Sequence, residues 1–221
     1  MFPKFNTTIF LFLLLTFLVF AQEFKQVADG IEYAEIMRGT ETEPIRLNLL
    51  RLDLTKVRLD VVHALDAAIG LEKTSSIATR HGAIAAINAG FFRLDKSIFA
   101  GDDVGILQID GKLLSESYAG RIALLINNTS YACTSCIPKK QTVVWFEHLK
   151  TFADFYYGEE KYLISGINRE LKDEENGLFT PEFGKTTPLS KSKILEIIVK
   201  KNKVKSFIDS NGETDIPKNS Y

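Results

Sequence analysis

The chain has 221 residues, 45% of them hydrophobic and 25% charged, with a formal net charge of −1. That is the composition of an ordinary folded domain and excludes collagen-like, low-complexity and disulfide-dense scaffolds. The near-balance of charge argues against a nucleic-acid binder, which carries a clustered positive excess.

Residues 1–21 read as a secretory signal peptide. Lys4 is their only charge, residues 9–20 form a twelve-residue apolar run, and Val19-Phe20-Ala21 resembles a cleavage site. Twelve helical residues span about 18 Å, short of the roughly 30 Å of a hydrocarbon core. The expected location is therefore secreted or cell envelope, with membrane contact only through this segment. Residues 22–221 are expected to form one domain.

Residues 45–53 and 56–63 are two runs rich in Leu, Val and Ile separated by Leu54-Thr55, a spacing that predicts a hairpin. Residues 74–81 predict a short helix capped by Thr74 or Ser75, with Gly82 at its C-terminal boundary. Residues 83–88 predict a short buried strand. Asp110-Gly111 between residues 105–109 and 112–115 is a strong hairpin signal. Further strands are expected over residues 121–126, 142–146 and 162–168, and residues 152–157 are aromatic-rich. A second hairpin is expected from residues 194–199 and 204–208, with Asn202 in its turn. The pattern predicts an α+β fold of mostly short strands and hairpins with one or two short helices.

Cys133 and Cys136 are the only cysteines. In an oxidising compartment, with no further ligands at zinc spacing, a local disulfide is the expected reading. No metal site and no cofactor are expected. His63 lies on the apolar face of its run and reads as a core histidine. Asp102-Asp103 could ligate a cation, and solvated loop is the preferred reading.

The densest functional signal is Asn88-Ala89-Gly90-Phe91-Phe92 at the end of an apolar run. Asn offers a donor and an acceptor, small residues let the backbone approach a ligand, and aromatic faces suit a pyranose ring. The plain alternative is a turn followed by two core aromatics. Asn168-Arg169-Glu170 likewise follows an apolar run and could point polar groups into a site or form a solvated loop.

In order along the chain, residues 74–92, 105–115 with 121–125, 166–187 and 194–217 resemble the N-terminal half of the phosphodiester glycosidase family. The resemblance implies a secreted hydrolase that cleaves a sugar from a phosphodiester or envelope glycan. Asn88 would orient substrate or water. Phe91 and Phe92 would shape the sugar pocket, Arg169 would meet the phosphate, and Gly90, Asp95 and Asn168 would join them in binding substrate. Asp110 and Asp95 are the nearest carboxylates to test, although an Asp-Gly turn needs no catalytic purpose. Ala89 stands where the family more commonly has Gly, and Leu171 where a second Arg is usual. The family's C-terminal Arg-Thr-x-x-Gly and Leu-Asp-Gly-Gly-Gly-Ser stretches have no counterpart here, so the domain reads as incomplete. The competing expectation is a non-catalytic secreted glycan-binding or remnant module.

Overall fold

The computed structural model describes residues 23–118, 120–131, 139–151 and 154–218. The leader, residues 1–21, and the cysteines, Cys133 and Cys136, lie outside the described residues. The chain divides into two compact units, one of residues 1–58 and 128–143, the other of residues 59–127 and 144–221.

In the first unit, Asp29-Gly30 turns β1 (Lys25–Ala28) into β2 (Ile31–Gly39), and β2 pairs antiparallel with β3 (Pro44–Leu52). The β2–β3 register runs unbroken from Ile31↔Leu52 to Gly39↔Pro44. Cross-strand charge supports it: Arg46 meets Glu35 at 2.9 Å and Arg51 pairs with Glu32. Ile45, Leu47 and Leu49 alternate onto one face of β3 opposite Arg38, Ile36 and Ala34. Ala34 is buried, whereas all three β3 residues are exposed.

The expected hairpin between residues 45–53 and 56–63 does not form. β3 pairs along its whole length with β2, and Asp53 turns the chain away after it. Its carboxylate accepts from the amide of Thr55 at 3.0 Å and the Thr55 hydroxyl at 2.7 Å, while its carbonyl accepts from the amides of Lys56 and Val57. Those hydrogen bonds hold the Asp53 carboxyl below its ordinary range, the Thr55 hydroxyl contributing most.

The second unit is a set of small two-stranded pairs, mostly antiparallel, with one α-helix among the described residues, so the fold is α+β and mainly β. Helix α1 (Thr74–Arg80) forms where expected, and Gly82 follows it with φ +63°. Its cap differs from expectation. Lys73 takes the N-cap position without a side-chain bond, and Glu72 reaches in to accept from the Ser76 hydroxyl at 2.8 Å. Residues 83–88 form no strand. Among the described residues they pair with no strand, and Ile84 and Ile87 are 69% and 80% exposed.

Strands β4 (Leu107–Ile109) and β5 (Lys112–Ser115) make the predicted hairpin. Asp110 (φ +49°) and Gly111 (φ +81°) adopt the left-handed pair that a two-residue turn requires. The expected strands at 121–126 and 142–146 are longer, running over β6 (Ile122–Tyr131) and β7 (Lys139–His148) as one two-stranded ribbon. β8 (Asp154–Tyr157) pairs with β9 (Glu160–Leu163).

The single strand expected over residues 162–168 is split. After β9 the chain changes partners, and the Ser165 amide donates to Asn176 O at 2.8 Å. β10 (Gly166–Ile167) then runs parallel to β11 (Gly177–Leu178). Leu171 packs over this pair so tightly that a Cβ on Gly166 would sit 2.7 Å, and one on Gly177 2.5 Å, from its side chain. A leucine there is a packing residue.

The last pair, β12 (Ile194–Lys200) and β13 (Lys203–Ser210), turns at Lys201 and Asn202, both at positive φ. Glu196 is buried on it and is held by the hydroxyls of Thr187 (2.6 Å), Ser210 and Thr214. The core of this unit gathers Ala64, Ala68, Phe99, Leu114 and Ile167. Phe183 stacks between Phe99 at 6.0 Å and Phe179 at 4.8 Å.

Candidate functional site

The Asn88–Phe92 segment leads into a short antiparallel pairing of residues 91–93 with 101–104. Phe92 faces Asp103, and Val104 N donates to Phe91 O and Arg93 N to Asp102 O, each at 2.8 Å. The loop between is built by its own polar groups. Asp95 accepts from the Ser97 amide at 2.9 Å and the Ser97 hydroxyl at 2.7 Å, and Ser97 Oγ accepts from the Phe99 amide. Phe99 is thereby directed into the core. Gly101 closes the loop against Gly70, where a Cβ would fall 1.9 Å from the Gly70 carbonyl oxygen. This contact fixes the position of the next residue, Asp102.

Asp102 is half-buried. Its carboxyl is pushed up to about 6, first by burial and then by the negative charges of Glu116 and Asp103, with Arg169 and Arg93 pulling the other way. Asp103 lies with Oδ2 at 3.0 Å from Nε2 of His63, both side chains being largely buried. Burial works against a charged His63 ring, and the Asp103 carboxylate outweighs it, so that the ring is held above its ordinary pKa. Ser115 at the end of β5 donates its hydroxyl to Asp103 O at 3.0 Å, tying the hairpin to this strand.

Glu116, the next residue, has both oxygens engaged. Oε1 accepts from Nε of Arg169, and Oε2 from the Ile167 amide at 2.9 Å. Arg169 in turn commits every donor it has. Nη1 reaches Glu175 and Glu170 O at 2.7 Å each, while Nη2 reaches Ser165 O at 2.7 Å and Glu175 at 3.1 Å. The Arg169 guanidinium, foremost among its causes, holds the Glu175 carboxyl down at about 2.

The residues singled out from sequence take distinct places around this cluster. Asn88 is exposed, Gly90 has φ +69°, and Phe91 and Phe92 are exposed aromatics rather than core. Asp95 is a loop-forming cap whose carboxyl falls to about 2, chiefly through Ser97 and then Arg93. Asp110 is a turn residue. Asn168 is buried at 1% exposure with φ +56°. Its amide donates to Leu114 O at 3.2 Å and Thr180 Oγ1 at 3.0 Å, and its oxygen accepts from Thr180 N at 2.8 Å. Asn168 and Arg169 thus meet protein groups with all of their polar atoms. Among the described residues, no group of three or more His, Cys, Asp or Glu is placed to hold a metal ion.

Sequence reasoning passed over Glu116 and Arg93 and read Asp102-Asp103 as loop. The one available signal was the acidic doublet next to a glycine, Gly101, in a segment bounded by apolar residues. Arg93 pairs with Asp95 and Glu170. Arg121, at the start of β6, stacks its guanidinium 4.7 Å from the Phe91 ring and 5.4 Å from the Tyr118 ring. No protein-family model, curated protein or solved structure matches this chain.

Proposed function

We propose that this is a secreted glycosidase-like hydrolase that cleaves a sugar from a phosphodiester, with Asp102 as the catalytic carboxylate. The observation that carries the reading is the setting of Asp102. It is a half-buried carboxyl raised to about 6, among Glu116, Asp103, Arg93 and Arg169, on the segment paired with residues 91–93. A catalytic base works best with its pKa near the operating pH, and ordinary surface aspartates sit about two units lower.

The chemistry assigns the role. The leaving group is a phosphate monoester, stable as an anion and in little need of a proton, so the acid–base burden falls on the attacking water. Asp102 in its ionised form takes that proton as the water oxygen bonds to the anomeric carbon and the carbon–oxygen bond to phosphate breaks. Its charge also stabilises the positive character that develops on the sugar ring. Glu116, with both oxygens occupied, is a positioning residue that sets the field at Asp102. The sequence motifs at Asn88–Phe92 support the sugar-binding side, and the apolar leader supports export.

The test is hydrolysis of an N-acetylglucosamine 1-phosphodiester by the purified protein. Turnover that rises as pH climbs through about 6, and that is abolished in Asp102→Asn with folding intact, is the expected result. Turnover unchanged in Asp102→Asn overturns it. The exposed rings of Phe91 and Tyr118, 68% and 60% accessible, favour a second reading, a glycan-binding module without catalysis. Binding of the diester with no turnover selects that reading.

A further inference from the structure

Most arginines near the cluster are already neutralised. Arg80 pairs with Asp66 and Glu72, Arg93 with Asp95 and Glu170, and Arg169 with Glu116 and Glu175. Arg121 differs. Among the described residues it has no carboxylate partner, and its one side-chain hydrogen bond is a long one, from Nη1 to Val104 O at 3.3 Å. The guanidinium instead lies against two exposed aromatic rings, Phe91 and Tyr118. Stacking of this kind fixes the plane of an arginine while leaving its edge free to donate.

We infer that Arg121, held by Phe91 and Tyr118, is an oxyanion-binding residue that takes the charged group of a sugar derivative whose ring lies on the exposed aromatic faces. The inference rests on the proposed hydrolase site, because Arg121 grips Val104, two residues beyond Asp102 on the same strand. Two residues of extended chain span about 7 Å, the scale of a sugar ring with its phosphoryl group. The free edge of a guanidinium matches a phosphate or a carboxylate through two parallel N–H···O bonds, and the flanking rings offer apolar surface to a pyranose. This places the anion at Arg121 and not at Arg169, whose donors are all committed to protein groups.

Isothermal titration of the purified protein with α-D-glucose 1-phosphate, D-glucuronate and D-glucose at low salt tests this. Wild type is expected to bind glucose 1-phosphate and not glucose. Arg121→Ala should weaken binding by roughly 10- to 100-fold, the worth of a lost charge-assisted bond. Arg121→Lys should recover only part of it, since an ammonium cannot make the two-pronged contact. Arg46→Ala, which removes the same charge from a surface pair in the other unit, should leave affinity unchanged.

Equal affinity in Arg121→Ala and wild type overturns the inference, as does equal binding of glucose and glucose 1-phosphate or no binding of any of the three. Binding of glucuronate alone, lost in Arg121→Ala, upholds the oxyanion clamp and removes the phosphodiester as substrate. Binding of glucose 1-phosphate through Arg121 with no diester turnover upholds the clamp and removes the hydrolase. Diester turnover with the same KM in Arg121→Ala as in wild type does the reverse.

Discussion

Arg169 meets Glu175 through both arms of its guanidinium, Nη1 and Nη2 lying 2.7 and 3.1 Å from the two carboxylate oxygens, while Nε goes to Glu116. The side chain is about four-fifths buried and joins β10 to the loop ending at β11. Arg169→Ala leaves two carboxylates facing each other without their cation. We expect a loss of about 2–4 kcal/mol, read as a lower urea midpoint, and no recovery in Arg169→Lys. The pH dependence has a definite sign. Glu175 is depressed from 4.5 to about 2, so its contribution is complete above pH 4.5 and is lost as pH falls through about 2.

Asp102 has the opposite sign. Its carboxyl is raised from 3.8 to about 6, so between those values the folded chain holds a proton that the unfolded chain has released. Stability therefore falls as pH rises from about 4 to 6, and the cost is fully present above 6. The full effect corresponds to roughly 3 kcal/mol, which water around the half-buried group reduces to about 1–2 kcal/mol. Asp102→Asn should accordingly be more stable than wild type by that amount at pH 7 and equal to it at pH 3.5. Urea unfolding at the two pH values checks this. A destabilised variant at pH 7 would mean that the carboxylate is structural rather than strained for function.

Local signals in the sequence translated well where the structure is local. Asp110-Gly111, Asn202 and Gly82 each suit their own backbone, and all three turn or terminate the chain as their residue types favour. Pairing between distant runs was less legible. The run at 56–63 alternates well enough to be a strand, yet nothing in it reveals that β3 pairs with β2 or that Asp53 turns the chain. Residues 83–88 carry the apolar content of a buried strand but have no partner to make them one. The candidate site was half visible. Asn88–Phe92 stood out because its residue types suit a ligand, whereas Asp102 owes its raised carboxyl first to burial and then to Glu116, which only the fold brings near. Arg169 illustrates the converse. A free arginine and one with every donor committed are identical in sequence.

Asn168 is a structural residue by its hydrogen bonds. Asn168→Ala would remove the side-chain partner of the buried Thr180 amide and the bond to Leu114 O, and would place a Cβ-bearing residue other than Asn or Asp at φ +56°. An unsatisfied buried group costs about 1–3 kcal/mol, and the left-handed backbone adds roughly 1 kcal/mol. Asn168→Gly removes the backbone cost and keeps the hydrogen-bond cost. The expected order of thermal midpoints is wild type, then Asn168→Gly, then Asn168→Ala. A Gly variant as stable as wild type would show the amide bonds to be dispensable.

Asp110 separates a turn from a catalytic carboxylate. With φ +49° at Asp110 and +81° at Gly111, the turn needs a residue tolerant of the left-handed region at the first position, which Asn provides as readily as Asp. Asp110→Asn should therefore keep stability within about 0.5 kcal/mol, whereas Asp110→Ala should lose roughly 1 kcal/mol from the strained backbone. Neither should change phosphodiester turnover measured at a temperature where both remain folded. A fall in turnover for Asp110→Asn at unchanged stability would reverse the assignment, because the two side chains share a shape and differ in charge and in one oxygen exchanged for an amide nitrogen. The hairpin would then be presenting a carboxylate to the substrate in addition to turning the chain.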